Sequence, residues 1–595
     1  MTSYIVDTIR YDTSAIYRPT PTSDDELISY YIEQQHLSLE ADEDLFNIAM
    51  LLSTTPDAPS YAEAMSGPHK SEFQSAIDKE YVSLKLNKVF STPCHLPEGK
   101  TALGTKMVLK IKESESPEVP RKFKARLCGK GFKQVYGIDY FNTYAPVAAY
   151  NSVRIFVSLC ASIDYEMDSI DVITAFLHAE LEEEIYISIP DGYPIKPGQE
   201  KMVLKLFKSL YGLKQSPYAW NKEIDRYLQS IGFKPTESER CIYVGRWGDA
   251  TIYLLVYVDD IIIGAPDRII MANVKCKINE RFPSEDHGPL TFFLNMHFER
   301  DWKSHTVSIH QEPKIAKVIN DQRYTKVDRL TITKSCKIPA SSDIILSKFM
   351  CPTNPVEKER TSKLPYKSIL GQLLYISITA RPDIATAVSA CGRYAQNPGQ
   401  EHWDALIQIV RYLQGTRKLR LRLGGARLIE LNACSDSDWA GNVDDRNSRT
   451  GYTISMGNSL ITWSSKLQQS IAQSSTEAEY VALADCSRTL IWCRTLLSEM
   501  GFPQTKPSVI DQDNKSTINI ANSYKQHPGI KHIDIKHHFI RDRIINLKDI
   551  VLQKKPTDEM QADLLTKQLS FPAFVRHRES FGLYLPQLKG CVGVN

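Results

Sequence analysis

Ten residues constrain this chain more than any other stretch: Leu254-Leu-Val-Tyr-Val-Asp259-Asp260-Ile-Ile-Ile263 places two adjacent carboxylates between apolar, β-branched runs. Such runs predict two strands around residues 257–264, joined by a tight turn. A surface hairpin turn is one reading, since Asp, Asn and Gly are common turn residues. A metal site is the other, because two like charges beside a buried sheet are unfavourable unless a cation compensates them. A further carboxylate, Asp171, closes a predicted strand at 166–172 in Asp168-Ser-Ile-Asp171-Val-Ile-Thr-Ala-Phe176-Leu. Phosphoryl transfer by the two-metal route needs converging carboxylates that hold two Mg²⁺ about 3.5–4 Å apart.

With 595 residues the chain exceeds one ordinary core and predicts about two to four domains. No apolar run approaches the roughly 20 residues of a membrane helix. The start, Met1-Thr-Ser-Tyr-Ile-Val-Asp, lacks a basic region followed by an apolar stretch, so the expectation is an intracellular protein that is not secreted. Twelve cysteines occur without a C-x-x-C pair or zinc spacing, which predicts free thiols and no zinc domain. The net charge of +2 hides an uneven distribution. Residues 1–60 are acidic at Asp24, Asp25, Glu26 and Glu40 to Asp44, and read as a weakly ordered leader. Lys106 to Lys133 is dominated by Lys and Arg, as either a groove for a polyanion or a solvated face.

Periodicity predicts a helix over 61–86, strands at 106–112 and 121–128, and helices at 152–161 and 218–230. Residues 366–413 read as mostly helical, and strands alternate with helices from about 428 to 568.

Several motifs occur in a fixed order around the carboxylates. They are Phe123-Lys-Ala-Arg-Leu127, Gly131-Phe-Lys-Gln134, Gly137-Ile-Asp-Tyr140, Ala145-Pro-Val147, Asp171-Val-Ile-Thr-Ala-Phe176-Leu177, Leu210-Tyr-Gly-Leu-Lys-Gln-Ser-Pro217 with Ala219-Trp220, and Tyr257-Val-Asp-Asp260. This set resembles the reverse transcriptase of copia-type LTR retrotransposons, from about residue 61 to 570. The resemblance implies an RNA-directed DNA polymerase that uses Mg²⁺ or Mn²⁺, two ions per active site, and dNTPs. Asp171, Asp259 and Asp260 would hold the metals. Lys124 and Arg126 would meet the triphosphate, and Phe176 would block a 2′-hydroxyl. Gly212, Lys214, Ser216 and Pro217 would lie under nucleotide and template, and Tyr257 would touch nucleic acid. Phe293-Leu-Asn-Met296 resembles a primer-grip turn, with Leu294 and Met296 as contacts and Asn295 where the family has Gly. His178-Ala179 and Cys128 also depart from the pattern.

A second set follows: Asn432-Ala-Cys-Ser-Asp436-Ser-Asp438-Trp-Ala-Gly441, Ser474-Ser-Thr-Glu477-Ala-Glu479-Tyr, Val509-Ile-Asp-Gln-Asp513-Asn and Met560-Gln-Ala-Asp563-Leu-Leu-Thr-Lys567. Taken singly, Ser474 with Glu477 or Thr476 with Glu479 would make a capping box. Together they resemble the ribonuclease H domain of the same elements. That implies Asp436, Glu477, Asp513 and Asp563 as ligands of two Mg²⁺ that cleave the RNA of a hybrid, with Glu479 left to capping and Asp438 the poorer ligand of its pair. Arg446, Arg449 and Lys466 would touch the hybrid, with a solvated surface as the other reading. Lys531-His-Ile-Asp534 and His537-His538 would lie on a helix facing phosphate.

The expected fold is therefore α+β and multidomain. A leader (1–60) precedes right-hand polymerase fingers, palm and thumb (61–345). A helical connection (346–427), an RNase H-like mixed α/β domain (428–570) and a C-terminal tail (571–595) follow. Expected partners are RNA template, DNA primer and RNA–DNA hybrid, with other Pol or Gag products of the element, in the cytoplasm (virus-like particle) or nucleus and away from membranes. A catalytically inactive or domesticated nucleic-acid-binding relic is the alternative, although none of the seven carboxylates is replaced. Zinc-knuckle, protease and integrase signatures are missing, so the chain reads as the C-terminal part of a larger polyprotein.

Overall fold

The computed structural model describes residues 59–112, 121–321, 335–341, 343–425, 429–523 and 534–586. The expected leader, apart from Pro59 and Ser60, and the stretch 531–533 lie outside the described residues.

Apolar β-branched runs form the centre of a six-stranded antiparallel sheet, ordered Ser284–Pro289, Glu166–Val172, Asp260–Ala265, Ala250–Tyr257, Ile242–Trp247 and Lys234–Pro235. Successive strand residues face opposite sides. Ile261 and Ile263 accordingly pack with Trp220, Ile224 and Leu228 of the helix Ser216–Ser230 and with Val274 and Ile278 of the helix Arg268–Arg281. Ile262 and Leu255 pack on the other face with Phe156 and Cys160 of the helix Tyr150–Ser162. Burial on both faces explains why this run is continuously apolar instead of alternating.

In front of this sheet, the basic stretch folds as the hairpin of Thr105–Lys112 and Lys122–Gly129. Beside it lies a three-stranded sheet of Ala102–Leu103, Glu180–Ser188 and Val203–Lys208. The helix expected over 61–86 is two helices, Tyr61–Ser66 and Lys70–Leu86. Gly67-Pro68 separates them, since proline has no N–H to continue the ladder.

The next sheet joins distant parts of the chain: Phe292–Phe293, Met296–Asp301, Thr306–His310, Arg420–Gly424 and Leu583–Tyr584. Two expectations change here. The connection is not wholly helical, because Arg420–Gly424 ends it as a strand paired with Thr306–His310. The expected C-terminal tail also carries structure within 571–586: the helix Phe571–Ser580 leads to a strand paired with Arg420–Gly424. A two-residue strand is too short to show a period of two, so the sequence pattern gives no sign of it. Helices Tyr366–Thr379, Ala385–Gly392 and Gln400–Thr416 pack around one apolar cluster that includes Trp403, Leu406 and Phe581.

The last sheet is mixed, ordered Ser459–Leu467, Arg449–Met456, Leu431–Ser437, Ser508–Gln512 and Ile550–Lys554, with the last three strands parallel to one another. The helix Ser475–Glu499 packs on it. This unit is pinned to the rest through Arg154. Its guanidinium donates to the carbonyls of Ile461 (2.7 Å) and Ile378 (2.8 Å) and lies 4.0 Å from the centre of the Trp463 ring.

Candidate catalytic sites

At the first site, strand register brings the carboxylates together. Asp260 is paired with Asp171 on one side and Tyr257 on the other. Asp259 sits in the turn, where its carbonyl accepts from Val172 N at 2.8 Å. Val258 holds a left-handed φ of +55° in that turn. A β-branched residue pays about 1–2 kcal/mol there. The indole N–H of Trp220 donates to the Val258 carbonyl at 2.6 Å, holding the turn from below.

Burial raises all three acids, and repulsion among them adds to it at Asp259 and Asp260. Asp260 is pushed up to about 7 by burial and then by Asp259 and Asp171. Asp259 is raised by burial and then by Asp171. Asp171 is raised mainly by burial, with His287, Lys124 and Arg126 pulling it down and Glu285 pushing it up. The strand Lys122–Gly129 thus sets two cations toward the acids. Arg126 lies 4.5 Å over the Tyr211 ring, and Tyr211 meets Phe176 edge-on at 5.0 Å. Half-buried carboxylates, with oxygen donors only, suit a hard divalent cation.

The second site is tighter. Asp436, Glu479 and Asp513 offer ligand oxygens that all lie within 4.8 Å of one another, the one such group of three among the described residues. Asp436 comes from the strand Leu431–Ser437 and Glu479 from the second turn of the helix Ser475–Glu499, while Asp513 follows the strand Ser508–Gln512. Burial raises Asp436 to about 8, with Asp563 and Asp513 adding repulsion, while Lys567 and a hydrogen bond from Thr566 (2.5 Å) oppose it. Burial, then Asp436 and Asp513, raise Glu479 well above the usual range. Asp563 ion-pairs with Lys567 at 2.9 Å and borders this cluster.

Comparison with known proteins bears most directly on the first site. The family described as "Reverse transcriptase (RNA-dependent DNA polymerase)" matches residues 87–337. A Retrovirus-related Pol polyprotein from transposon TNT 1-94 of Nicotiana tabacum is 38% identical over 90% of this chain and 40% of its own length. One from transposon RE1 of Arabidopsis thaliana is 35% identical over 82% of this chain and 32% of its own. A transposon Ty5-1 protein of Saccharomyces cerevisiae is 32% identical over 53% of this chain and 98% of its own. The chain belongs to the copia-type reverse transcriptase family of retrotransposon Pol proteins. It spans less than half the length of the tobacco and Arabidopsis polyproteins.

In this member of the reverse transcriptase family the six-stranded sheet is the palm of a right-hand α+β fold, and the mixed five-stranded sheet is its RNase H-like part. Among the predicted polymerase residues, Asp171, Asp259, Asp260, Lys124, Arg126 and Phe176 share one neighbourhood. Others serve the scaffold. Tyr257 is buried against Phe293, so it packs in the core. Ser216 is buried, with its hydroxyl on the Leu210 carbonyl at 2.6 Å, and Pro217 opens the helix behind it. Gly212 has φ +86°, and a Cβ there would stand 2.3 Å from the Gly129 carbonyl oxygen, so its role is a close backbone crossing. Lys214 bonds the Tyr140 hydroxyl at 3.1 Å. Leu294 and Met296 are buried, and the turn between them has Leu294 and Asn295 at φ +47° and +55°. Asn at that position follows its tolerance of the left-handed region.

In the RNase H-like part the expected Glu477 is corrected. Ser474 Oγ accepts from Glu477 N at 3.2 Å, and the Glu477 carboxylate accepts from Gln473 N at 2.8 Å. It therefore finishes the helix N-terminus, while Glu479, expected to cap, joins Asp436 and Asp513. Asp438 accepts from Arg449 N at the start of the strand Arg449–Met456. Arg449 is buried and donates to Ser389 Oγ at 2.7 Å, so it is no surface contact for a hybrid. Lys466 is half-buried, and its charged neighbours are Asp485 and Arg488 instead of the carboxylates. Tyr211, missed in the sequence, forms a wall of the polymerase site. Burial raises it to about 12, and Asp259 and Asp171 lie near enough to add to that.

Proposed function

We propose that this chain copies RNA into DNA from dNTPs at the palm carboxylates and hydrolyses the RNA of the resulting hybrid at the second cluster. The observation that carries this reading is the register of Asp260 opposite Asp171, with Asp259 in the turn before Asp260 and the charges of Lys124 and Arg126 acting on the acids.

Asp171, Asp259 and Asp260 would hold two Mg²⁺, and Asp436, Glu479, Asp513 and Asp563 two more. Metal bound there supplies charge neutralisation and a more acidic attacking hydroxyl or water. In synthesis the primer 3′-oxygen bonds to the α-phosphorus, and the bond from that phosphorus to the bridging oxygen breaks, releasing pyrophosphate. Lys124 and Arg126 orient the triphosphate, for which a guanidinium provides paired donors. Phe176, braced edge-on by Tyr211, narrows the space at the sugar and selects deoxynucleotides. At the second cluster Lys567 and Thr566 hold Asp563 and Asp436 in place for attack of water on the RNA phosphate.

The domain division offered with this reading keeps 61–345 as fingers, palm and thumb and 428–570 as RNase H, and adds 571–586 to the connection. Primer extension on an RNA template with Mg²⁺ and dNTPs tests it. The parent chain is expected to extend and Asp259→Asn to lose synthesis while melting nearly as the parent. Equal extension by both would overturn the assignment.

A further inference from the structure

The motifs Gly131-Phe-Lys-Gln134 and Gly137-Ile-Asp-Tyr140 have no role in the chemistry above. The loop that carries them turns large apolar side chains to solvent: Phe132 is 76% exposed, Tyr136 70% and Ile138 68%, with Phe141 and Tyr144 also exposed. Single exposed apolar residues are ordinary, whereas a contiguous set on one surface marks an interaction site.

These side chains do not face outward for want of local structure. Val135 N donates to Asp139 Oδ2 at 2.8 Å, and Gly137 N to the Tyr140 carbonyl at 3.0 Å. Gln134 Nε2 donates to Gln215 Oε1 at 3.0 Å, and Gln215 Nε2 to the Asp139 carbonyl at 2.8 Å. Gln134 Oε1 accepts from Lys214 N at 2.8 Å. The polar groups are thus turned inward and the rings outward, the reverse of an ordinary surface loop. The one acid in 130–144, Asp139, is engaged by backbone, and the other charges of the segment are Lys130 and Lys133. Lys214 adds a third cation, 4.7 Å over the Tyr140 ring, which meets the Tyr136 ring at 5.7 Å.

Exposed rings beside Lys130, Lys133 and Lys214 fit an unpaired polyanion, with Asp139 held by backbone and Glu183 by the Gln215 amide at 3.2 Å. Ring faces stack with any base while lysines take the phosphates. The loop rests on the 211–215 turn, whose Tyr211 walls the polymerase carboxylates. We propose that residues 132–144 form a stacking platform for the single-stranded nucleic acid that leads to the palm carboxylates, which in the polymerase reading is the template ahead of the primer end. The proposal rests on that reading for the identity of the strand, but not for its chemistry.

The test is fluorescence anisotropy with the full chain and two labelled primer–template duplexes, one blunt and one with an unpaired RNA 5′ extension. The parent is expected to bind the extended duplex about tenfold more tightly, as stacking of one or two bases would give. Phe132→Ala with Tyr136→Ala is expected to lose that preference and keep blunt-duplex affinity. Phe132→Trp is expected to retain it, and melting of each variant checks the fold. A parent with no preference, a variant that keeps it, or equal loss on both duplexes would each overturn the platform, the last pointing to a general or protein-binding role. Primer extension run in parallel separates the two readings: a parent that prefers the extension yet synthesises nothing sinks the polymerase reading and leaves the platform standing.

Discussion

The indole N–H of Trp220 donates to the carbonyl of Val258 at 2.6 Å, so a helix packed on the palm sheet fixes the turn that carries Asp259. Val258 is the strained residue of that turn, at φ +55°. Trp220 also packs against Phe282 at 5.1 Å, so its ring and its N–H act separately. Trp220→Phe is expected to keep much of the packing and lose the bond, at a cost of about 0.5–1.5 kcal/mol in stability. Because the turn positions Asp259, synthesis is expected to fall by about tenfold, more than that stability loss explains. Melting and single-turnover primer extension measure the two effects, and a variant that melts lower but extends at the parental rate would show that the turn holds itself.

Glu477 and Glu479 stand two positions apart and have different tasks. Glu479→Gln is expected to abolish hybrid cleavage, because it removes one of the three converging carboxylates, with little change in melting. Glu477→Gln is expected to leave cleavage largely intact and to cost about 0.5–1 kcal/mol, the range for weakening a helix N-terminus. Cleavage of a labelled RNA–DNA hybrid decides it. Loss with Glu477→Gln and retention with Glu479→Gln would reverse the assignment.

That pair also shows what the sequence could and could not reveal. Strands, the Asp-Asp hairpin and the order of the carboxylates were all legible, because β-branched runs and strand-end acids carry their own pattern. Which of two glutamates enters the site depends on where the helix begins, and a shift of two residues in the cap would put one where the other stands. The Ser474 cap starts the helix so that Glu479 faces Asp436. The same limit applies to Tyr257, Ser216, Leu294 and Met296. Each stands in a motif that resembles a contact, yet burial shows that it supports the contact surface from behind. The pairing of Leu583–Tyr584 with Arg420–Gly424 joins positions too far apart in sequence for any local pattern to show.

His310 predicts a pH dependence. Its Nδ1 accepts from Glu312 N at 3.3 Å, and its Nε2 meets Glu299 at 3.1 Å, an arrangement that a neutral ring satisfies fully. Burial, and then Arg420, push it down to about 4 from the ordinary 6.5, against the pull of Glu299. Between these values the unfolded chain binds the proton and the folded chain resists it. The stability from His310 is therefore present above about pH 6.5 and lost as the pH falls toward 4. Melting curves of the parent and His310→Gln from pH 7.5 to about 4.5 are expected to converge on acidification. Parallel curves would mean that His310 titrates alike in both states.

Truncation after residue 570 tests whether the C-terminal segment is structural. It would remove Phe574, Phe581 and Leu583, all buried, together with the strand that pairs with Arg420–Gly424 and the Tyr584 hydroxyl bonded to Ser308 at 2.6 Å. Each large apolar side chain exposed or lost costs about 1.5–3 kcal/mol. The RNase H-like part lies between the paired strands Arg420–Gly424 and Leu583–Tyr584, so it is anchored to the polymerase side at both ends. Removing one anchor is expected to lower melting of the connection and to free the RNase H-like part to move. The expected readout is a broadened distribution of cleavage positions on a hybrid paused at a fixed primer end, alongside nearly parental cleavage of a free hybrid. An unchanged, narrow cleavage pattern would show that the palm contacts alone, through Arg154 and Trp463, keep the two sites in register.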